Sequence, residues 1–302
     1  MSTSTSMLPE LRIALANFGP GGIVPGSAER WESAMRWDKT VSVLREWQPH
    51  IVLCQEISAT APAGGRGHLW TTANTLGMIP LPGSPGPGGA TIGCTAILVA
   101  LSAGLVILDA GPDWPPRAGA QPAWCEALVQ IPGWLHPLHA CSVDLSCRSS
   151  VEQRSQADHL ASRVARLGDL GVAGGNWSSY GRADPVTPAA LDSVPLHVRP
   201  SRMRYSPREQ ALIPNYDVHD VLACAGLVDA VAVQGLARSG PGEPASAVTG
   251  IGRVDRIYLT RDLAGAAARY TQQDMPDGEH QVLMITLDGA VAASITPPGR
   301  GR

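Results

Sequence analysis

The chain has 302 residues, 44% of them hydrophobic, and a formal net charge of −3; this allows a sizeable core and excludes a strongly basic polyanion-binding domain. Its start, MSTSTSMLPE, has neither a basic stretch nor an apolar run, and no apolar segment reaches the ~18 residues of a membrane span, so a cytoplasmic, monomeric protein without membrane attachment is expected. One Phe stands against eight Trp, and Lys39 is the sole lysine, so Ala, Leu, Val and Trp must pack the interior and arginine carries the positive charge.

Residues 11–17 (LRIALAN) read as a first strand, and 30–48 as a helix with Trp31, Met35, Val41, Leu44 and Trp47 as its apolar stripe. A second buried strand follows at 50–55 (HIVLCQ), then a short helix at 68–76 and a Gly/Pro-dense loop at 80–93. Strands are predicted at 94–100, 104–108, 124–131 and 137–145. Residues 151–167 form an amphipathic helix with Val151, Leu160, Val164 and Leu167 on one side, leading into a short strand at 170–173 that ends in Gly174-Gly175. Residues 176–214, rich in Pro, Arg and Ser, are the least regular part, and a loop of that length inside a domain is usually functional. A helix at 218–225 and strands at 252–260, 266–271 and 281–287 close the chain. No repeat or composition shift divides it: residues 10–290 read as one mixed α/β domain of two packed sheets with helices outside, between tails at 1–9 and 291–302.

Six cysteines are scattered without a C-x-x-C pair, which argues against structural zinc and disulfide staples. Several sit in apolar runs, where a thiol acts as a small buried hydrophobe. His136 and His139 have a ligand-like spacing but point to opposite faces of a strand. Asp217 is placed to cap the helix behind it, with His219 solvated. Arg199, Arg202, Arg204 and Arg208 either grip phosphates or are a solvated face.

Several polar residues stand at strand ends where an apolar run does not need them. Asn17 ends the first strand and Gln55-Glu56 the second, and a carboxylate at a sheet mouth is a hard oxygen ligand of the kind Mg²⁺ uses. Taken in order, LRIALAN, QPHIVLCQE, SVDLS, VAGGNWSSY, GLVDA, GRVDRIYLT and GEHQVLMITL resemble the landmarks of the endonuclease/exonuclease/phosphatase (deoxyribonuclease I-like) superfamily. The resemblance covers roughly residues 11–288. It implies an α/β (α+β) four-layer sandwich, with two mostly antiparallel β-sheets packed together and flanked by helices.

The resemblance also implies roles. Glu56 matches the principal metal ligand, and Asn17 the amide that orients the metal shell or phosphate. Asp255 and His280 match a hydrogen-bonded dyad whose ring contacts the scissile phosphate. The departures are equally specific. Asp144 stands where the family has His, Asn176 where it has the water-orienting Asp, Ser178 where it has Asn, and Glu279 replaces the Asp before His280 as a carboxylate on the metal side. Asn176 cannot accept a proton, and loss of a general base costs about 10²–10⁴ in rate. The family pattern has four site carboxylates, at 56, 176, 255 and 279, and this chain also has four, at 56, 144, 255 and 279. The charge has moved across the site, so Mg²⁺ or Mn²⁺ is still expected. Two readings follow: a metal-dependent phosphoesterase acting on nucleic acid or a smaller phosphate ester, and a repurposed member of the fold that binds or transforms a small molecule in the inherited pocket.

Overall fold

The computed structural model describes residues 7–19, 29–59, 67–85, 94–111, 123–145, 149–167, 170–184, 186–233, 237–239, 253–275 and 280–296. In chain order they form β1 (Glu10–Asn17), α1 (Glu29–Trp47), β2 (Ile51–Ile57), α2 (His68–Leu76), β3 (Ile79–Pro85), β4 (Cys94–Val99), β5 (Val106–Gly111), β6 (Ala123–Gln130) and β7 (Leu138–Asp144). There follow α3 (Ser150–Leu167), β8 (Gly171–Asn176), α4 (Pro188–Ser193), α5 (Arg199–Arg202), β9 (Met203–Ser206), β10 (Ala211–Pro214) and α6 (Asp217–Cys224). The last elements are β11 (Leu227–Asp229), β12 (Ala237–Ser239), β13 (Asp255–Thr260), α7 (Arg261–Ala264), β14 (Ala267–Asp274), β15 (Gln281–Asp288) and α8 (Gly289–Ala293).

Two sheets result, of order β12-β14-β15-β1-β2-β4-β3 and β11-β13-β8-β7-β6-β5, with β9 and β10 as a separate hairpin. Side-chain alternation assigns the layers. Leu11, Ile13 and Leu15 of β1 meet Ala127, Val129 and Val172 of the other sheet in a central core. Ala14 and Ala16 turn the other way, onto Val41 and Leu44 of α1 and Leu69 of α2. On the far side, Val143 and Ala173 pack on Leu160 and Val164 of α3 and on Leu222 of α6. The single domain is therefore a four-layer sandwich, helix–sheet–sheet–helix, with mostly antiparallel pairing.

Each sheet holds a parallel pair near its middle, β1 with β2 and β7 with β8, joined through α1 and α3 respectively. A parallel pair requires such a crossover. It also brings two strand C-termini side by side, which is where open α/β sheets place their ligands.

The sequence departs from the structure at identifiable points. Residues 79–85, expected as loop for the most part, form edge strand β3. Pro80 and Pro82 alternate along it, so their missing N–H groups fall on the same side, and prolines in a sheet belong on an open edge. Residues 86–93 lie outside the described residues. The segment expected to be irregular contains α4, α5 and the β9–β10 hairpin. Met35 and Val151 are exposed, not part of their helices' buried stripes. Val151 is nine positions from Leu160, about two and a half turns, which puts it on the opposite face. The described cysteines are free: four are buried, with their thiol pKa values raised by burial, and Cys224 is exposed.

Candidate functional site

Asn17 ends β1 on the inner, sheet-facing side, continuing the alternation of Ile13 and Leu15. Gln55 of β2 also points inward. Its Nε2 donates to Ser142 Oγ (2.8 Å), and Ser142 Oγ donates to the Cys54 carbonyl (2.8 Å), a polar staple between the sheets. Strict alternation would then turn Glu56 outward to the helices. The β2–β4 register instead shifts between Cys54 and Ile57, and Glu56 adopts a left-handed backbone, φ 53°. Such a bulge re-aims a side chain, and here Asn17 Nδ2 donates to Glu56 Oε1 at 3.3 Å. Asn17 is itself fixed through Oδ1, which accepts the Gly19 N–H (2.8 Å).

The second parallel pair supplies Asp144 and Asn176, directly opposite each other in the register. Asn176 Oδ1 accepts both the backbone N–H (3.0 Å) and the hydroxyl (3.2 Å) of Ser178, whose φ of 46° is again left-handed. The turn is anchored from behind: Gln153 Nε2 donates to the Ser178 carbonyl, and the Trp177 indole N–H to the Arg256 carbonyl. Antiparallel β13 enters at the same end, pairing its first residue Asp255 with Asn176. Asp255 Oδ2 lies 2.9 Å from His280 Nδ1 and also accepts the Gln281 N–H (3.3 Å). Its Oδ1 is buried with no partner among the described residues. Glu279 lies outside the described residues.

The structure thus gathers Asn17, Glu56, Asp144, Asn176, Ser178, Asp255 and His280 at one mouth of the sandwich. Asp144 feels the others electrostatically. Burial raises its pKa well above the carboxylate range, as do the negative charges of Glu56 and Asp255, while His280 acts in the other direction. No group of three or more His, Cys, Asp or Glu poised to cage a metal is present among the described residues. The donor set is hard oxygen: the Glu56 carboxylate, which Asn17 orients through its Nδ2, and the neighbouring carboxylates. Mg²⁺ commonly keeps several waters and takes one or two protein carboxylates. The unpartnered Asp255 oxygen and the crowded negative charge around Asp144 are what such a cation would relieve, so the residues fit one.

Other sequence candidates fall elsewhere. His139 is buried on β7, its Nε2 3.2 Å from Glu126, and Glu126 also pairs with Arg163 of α3. Burial opposes ionisation of Glu126, yet His139 and Arg163 hold its pKa down to about 2. His136 precedes the strand. Tyr216, not Asp217, occupies the cap position of α6; Asp217 is already its first residue, and its carboxylate accepts from Arg204 (3.0 Å). His219 meets the Tyr258 hydroxyl at 3.1 Å. Arg199 is spent on the carbonyls of Asp192 and Val194. Sequence reasoning also missed Ser142, Gln153 and the buried arginines Arg253 and Arg256. Each acts by supporting a neighbour's backbone or charge, and a lone polar residue in sequence carries no sign of that.

A two-sheet sandwich with strand-end carboxylates and an Asp–His dyad at one mouth defines a class of fold and site. Comparison with solved structures gives the fold its name. An endonuclease/exonuclease/phosphatase from Bacteroides vulgatus superposes with a TM-score of 0.64 at 12% identity, over 92% of this chain and 98% of that one. An AP endonuclease from Archaeoglobus fulgidus gives 0.58 at 15%, over 92% and 99%. A mannosyl-6-phosphatase from Bacteroides thetaiotaomicron gives 0.60 at 11%, over 91% and 98%. No family model and no curated protein matches the sequence. The chain has the endonuclease/exonuclease/phosphatase fold.

Proposed function

We propose that this chain is a divergent endonuclease/exonuclease/phosphatase member that hydrolyses phosphate esters with Mg²⁺ or Mn²⁺ held at Glu56. The carrying observation is the convergence of Glu56, Asn17 and the Asp255–His280 dyad at one sheet mouth, with Glu56 turned there by a bulge. Neighbours of the same fold include a nuclease and a sugar phosphatase, which supports the reaction class and leaves nucleic acid and small esters both as candidate substrates.

A divalent cation at Glu56 supplies Lewis-acid stabilisation of charge on a phosphoryl oxygen. The chain's own residues supply the rest. Asp255 holds the Nδ1–H of His280 and so fixes the ring, which by the family resemblance contacts the phosphate. Asn176 positions water through its amide but cannot take a proton. Asp144, its register partner one strand over, is the carboxylate placed to take it, in the ionised form that a cation beside it would favour against burial and the neighbouring charges. Asn17 orients Glu56.

The test is turnover of bis(4-nitrophenyl) phosphate and plasmid DNA with Mg²⁺ or Mn²⁺. Wild type is expected to turn over, Glu56→Ala and His280→Ala to lose at least about 10² in rate, and Asp144→Asn about 10²–10⁴. Activity that survives Glu56→Ala overturns the site. The second reading, a repurposed small-molecule pocket, rests on Asn176, whose Oδ1 is fully engaged by Ser178. It gains if wild type is inert and Asn176→Asp with Asp144→His restores cleavage.

A further inference from the structure

At the other end of the first sheet lies a cavity of about 530 Å³, between the starts of β1 and β2 and the C-terminal turns of α1 and α2. Ligand pockets span roughly 300–1,000 Å³, so it has room for a molecule of nucleotide size. Arg12, Arg45, Gln48 and His50 form its polar side, and Leu76 and Met78 part of its apolar side. Arg12 lies five residues before Asn17 on β1, roughly 16 Å along the strand, and on the opposite, helix-facing side. The cavity is therefore separate from the site described above.

Its charge is one-sided. No Asp or Glu lines it, and among the described residues neither Arg12 nor Arg45 pairs with a carboxylate. Arg45 suits the C-terminal end of α1 through the helix dipole, yet neither guanidinium hydrogen-bonds a helix-end carbonyl there. Arg12 Nε is buried without an acceptor, a costly state for a charged donor. His50 adds a third donor. Its Nδ1 accepts the backbone N–H of Arg12 (3.0 Å), and burial, with the charge of Arg12, lowers its pKa to about 4. At neutral pH the ring is uncharged and its proton sits on Nε2. Guanidinium groups favour phosphate and carboxylate through parallel N–H donors.

We propose that this cavity binds a small organic anion, its phosphate or carboxylate held by Arg12, Arg45 and His50 and its apolar body lying against Leu76 and Met78. The inference does not depend on the catalytic reading. It is tested on the full chain carrying Glu56→Ala, with methionine methyl groups labelled for NMR and adenosine 5′-monophosphate or benzoate as probe. The Met78 methyl signal is expected to shift saturably with one or both anions and not with neutral adenosine or benzamide. Arg12→Met with Arg45→Gln is expected to weaken the response at least tenfold. Arg45→Gln alone, at an exposed position that folding tolerates, is expected to weaken it about fivefold. The proposal fails if neither anion moves Met78, if the neutral probes move it equally, or if Arg45→Gln binds as tightly as its parent.

Discussion

Arg253 is buried between Asp184 (2.7 Å) and Asp229 (3.1 Å), and its Nη1 donates to the Tyr270 hydroxyl (3.2 Å). Beside it Arg256, fully buried, donates to the carbonyl and hydroxyl of Ser179, next to the Asn176–Ser178 turn. The chain's arginine bias hides both, because a buried guanidinium and a solvated one are the same letter. Asn17 and Glu56 stand out in the sequence for the opposite reason, each being a polar residue that ends an apolar run, whereas Asp255 and His280 are singled out only by the family resemblance. Removing the Arg253 cation leaves Asp229 buried without its cation and Asp184 with only the more distant Arg256, at 3.8 Å. Arg253→Met is expected to cost about 3–5 kcal/mol, a fall in Tm of roughly 5–8 °C, by calorimetric unfolding. Arg253→Met combined with Asp184→Asn and Asp229→Asn is expected to recover most of that loss. A single variant as stable as wild type would show that the network does not hold the turn.

β8 illustrates what an element does that its residues do not announce. Its sequence, GVAGGN, has weak strand propensity, and alternation in the sequence ends the strand at Ala173. It continues to Asn176 because it lies between β7 and β13, and because Gly174 and Gly175 permit a close approach that side chains would block. A methyl on Gly174 would come 2.6 Å from Leu53 Cδ1, and one on Gly175 would collide with the Val143 carbonyl oxygen. The two glycines therefore set how far Asn176 reaches into the mouth. The strand–helix–strand successions are visible in the sequence, but their parallel pairing, the bulge in β2 and the proline edge strand β3 are not, since all three depend on what lies alongside. Gly175→Ala is expected to destabilise by about 2–3 kcal/mol through overpacking. It should also lower kcat for a phosphodiester at least about tenfold at an unchanged assay temperature, because Asn176 and its partner Asp144 separate. Unchanged kcat in a destabilised variant would mean that β8 is only scaffold.

At the scale of the whole molecule the site is a strain that folding must bear. The mouth concentrates Glu56, Asp144 and Asp255, and Asp144 is pushed towards its protonated form by burial and by the other two charges. An acid with a raised pKa binds its proton more tightly in the folded chain than in the unfolded one. Its contribution is therefore intact below the usual carboxylate range and is lost as pH rises through the folded pKa. Asp144→Asn removes that loss, so its gain in Tm should be larger at pH 8 than at pH 4. On the proposed reading, a divalent cation held at Glu56 would act on the same repulsion by binding only the folded state. At ten times its dissociation constant, Mg²⁺ should add about 1.4 kcal/mol, a rise in Tm of roughly 2 °C, and chelation should reverse it. Glu56→Ala should abolish the Mg²⁺ increment, and Asp144→Asn should shrink it while raising the metal-free Tm. The two effects separate cleanly in calorimetry with and without chelator. If Mg²⁺ stabilises Glu56→Ala as much as wild type, the cation binds elsewhere and the acidic mouth is not its site.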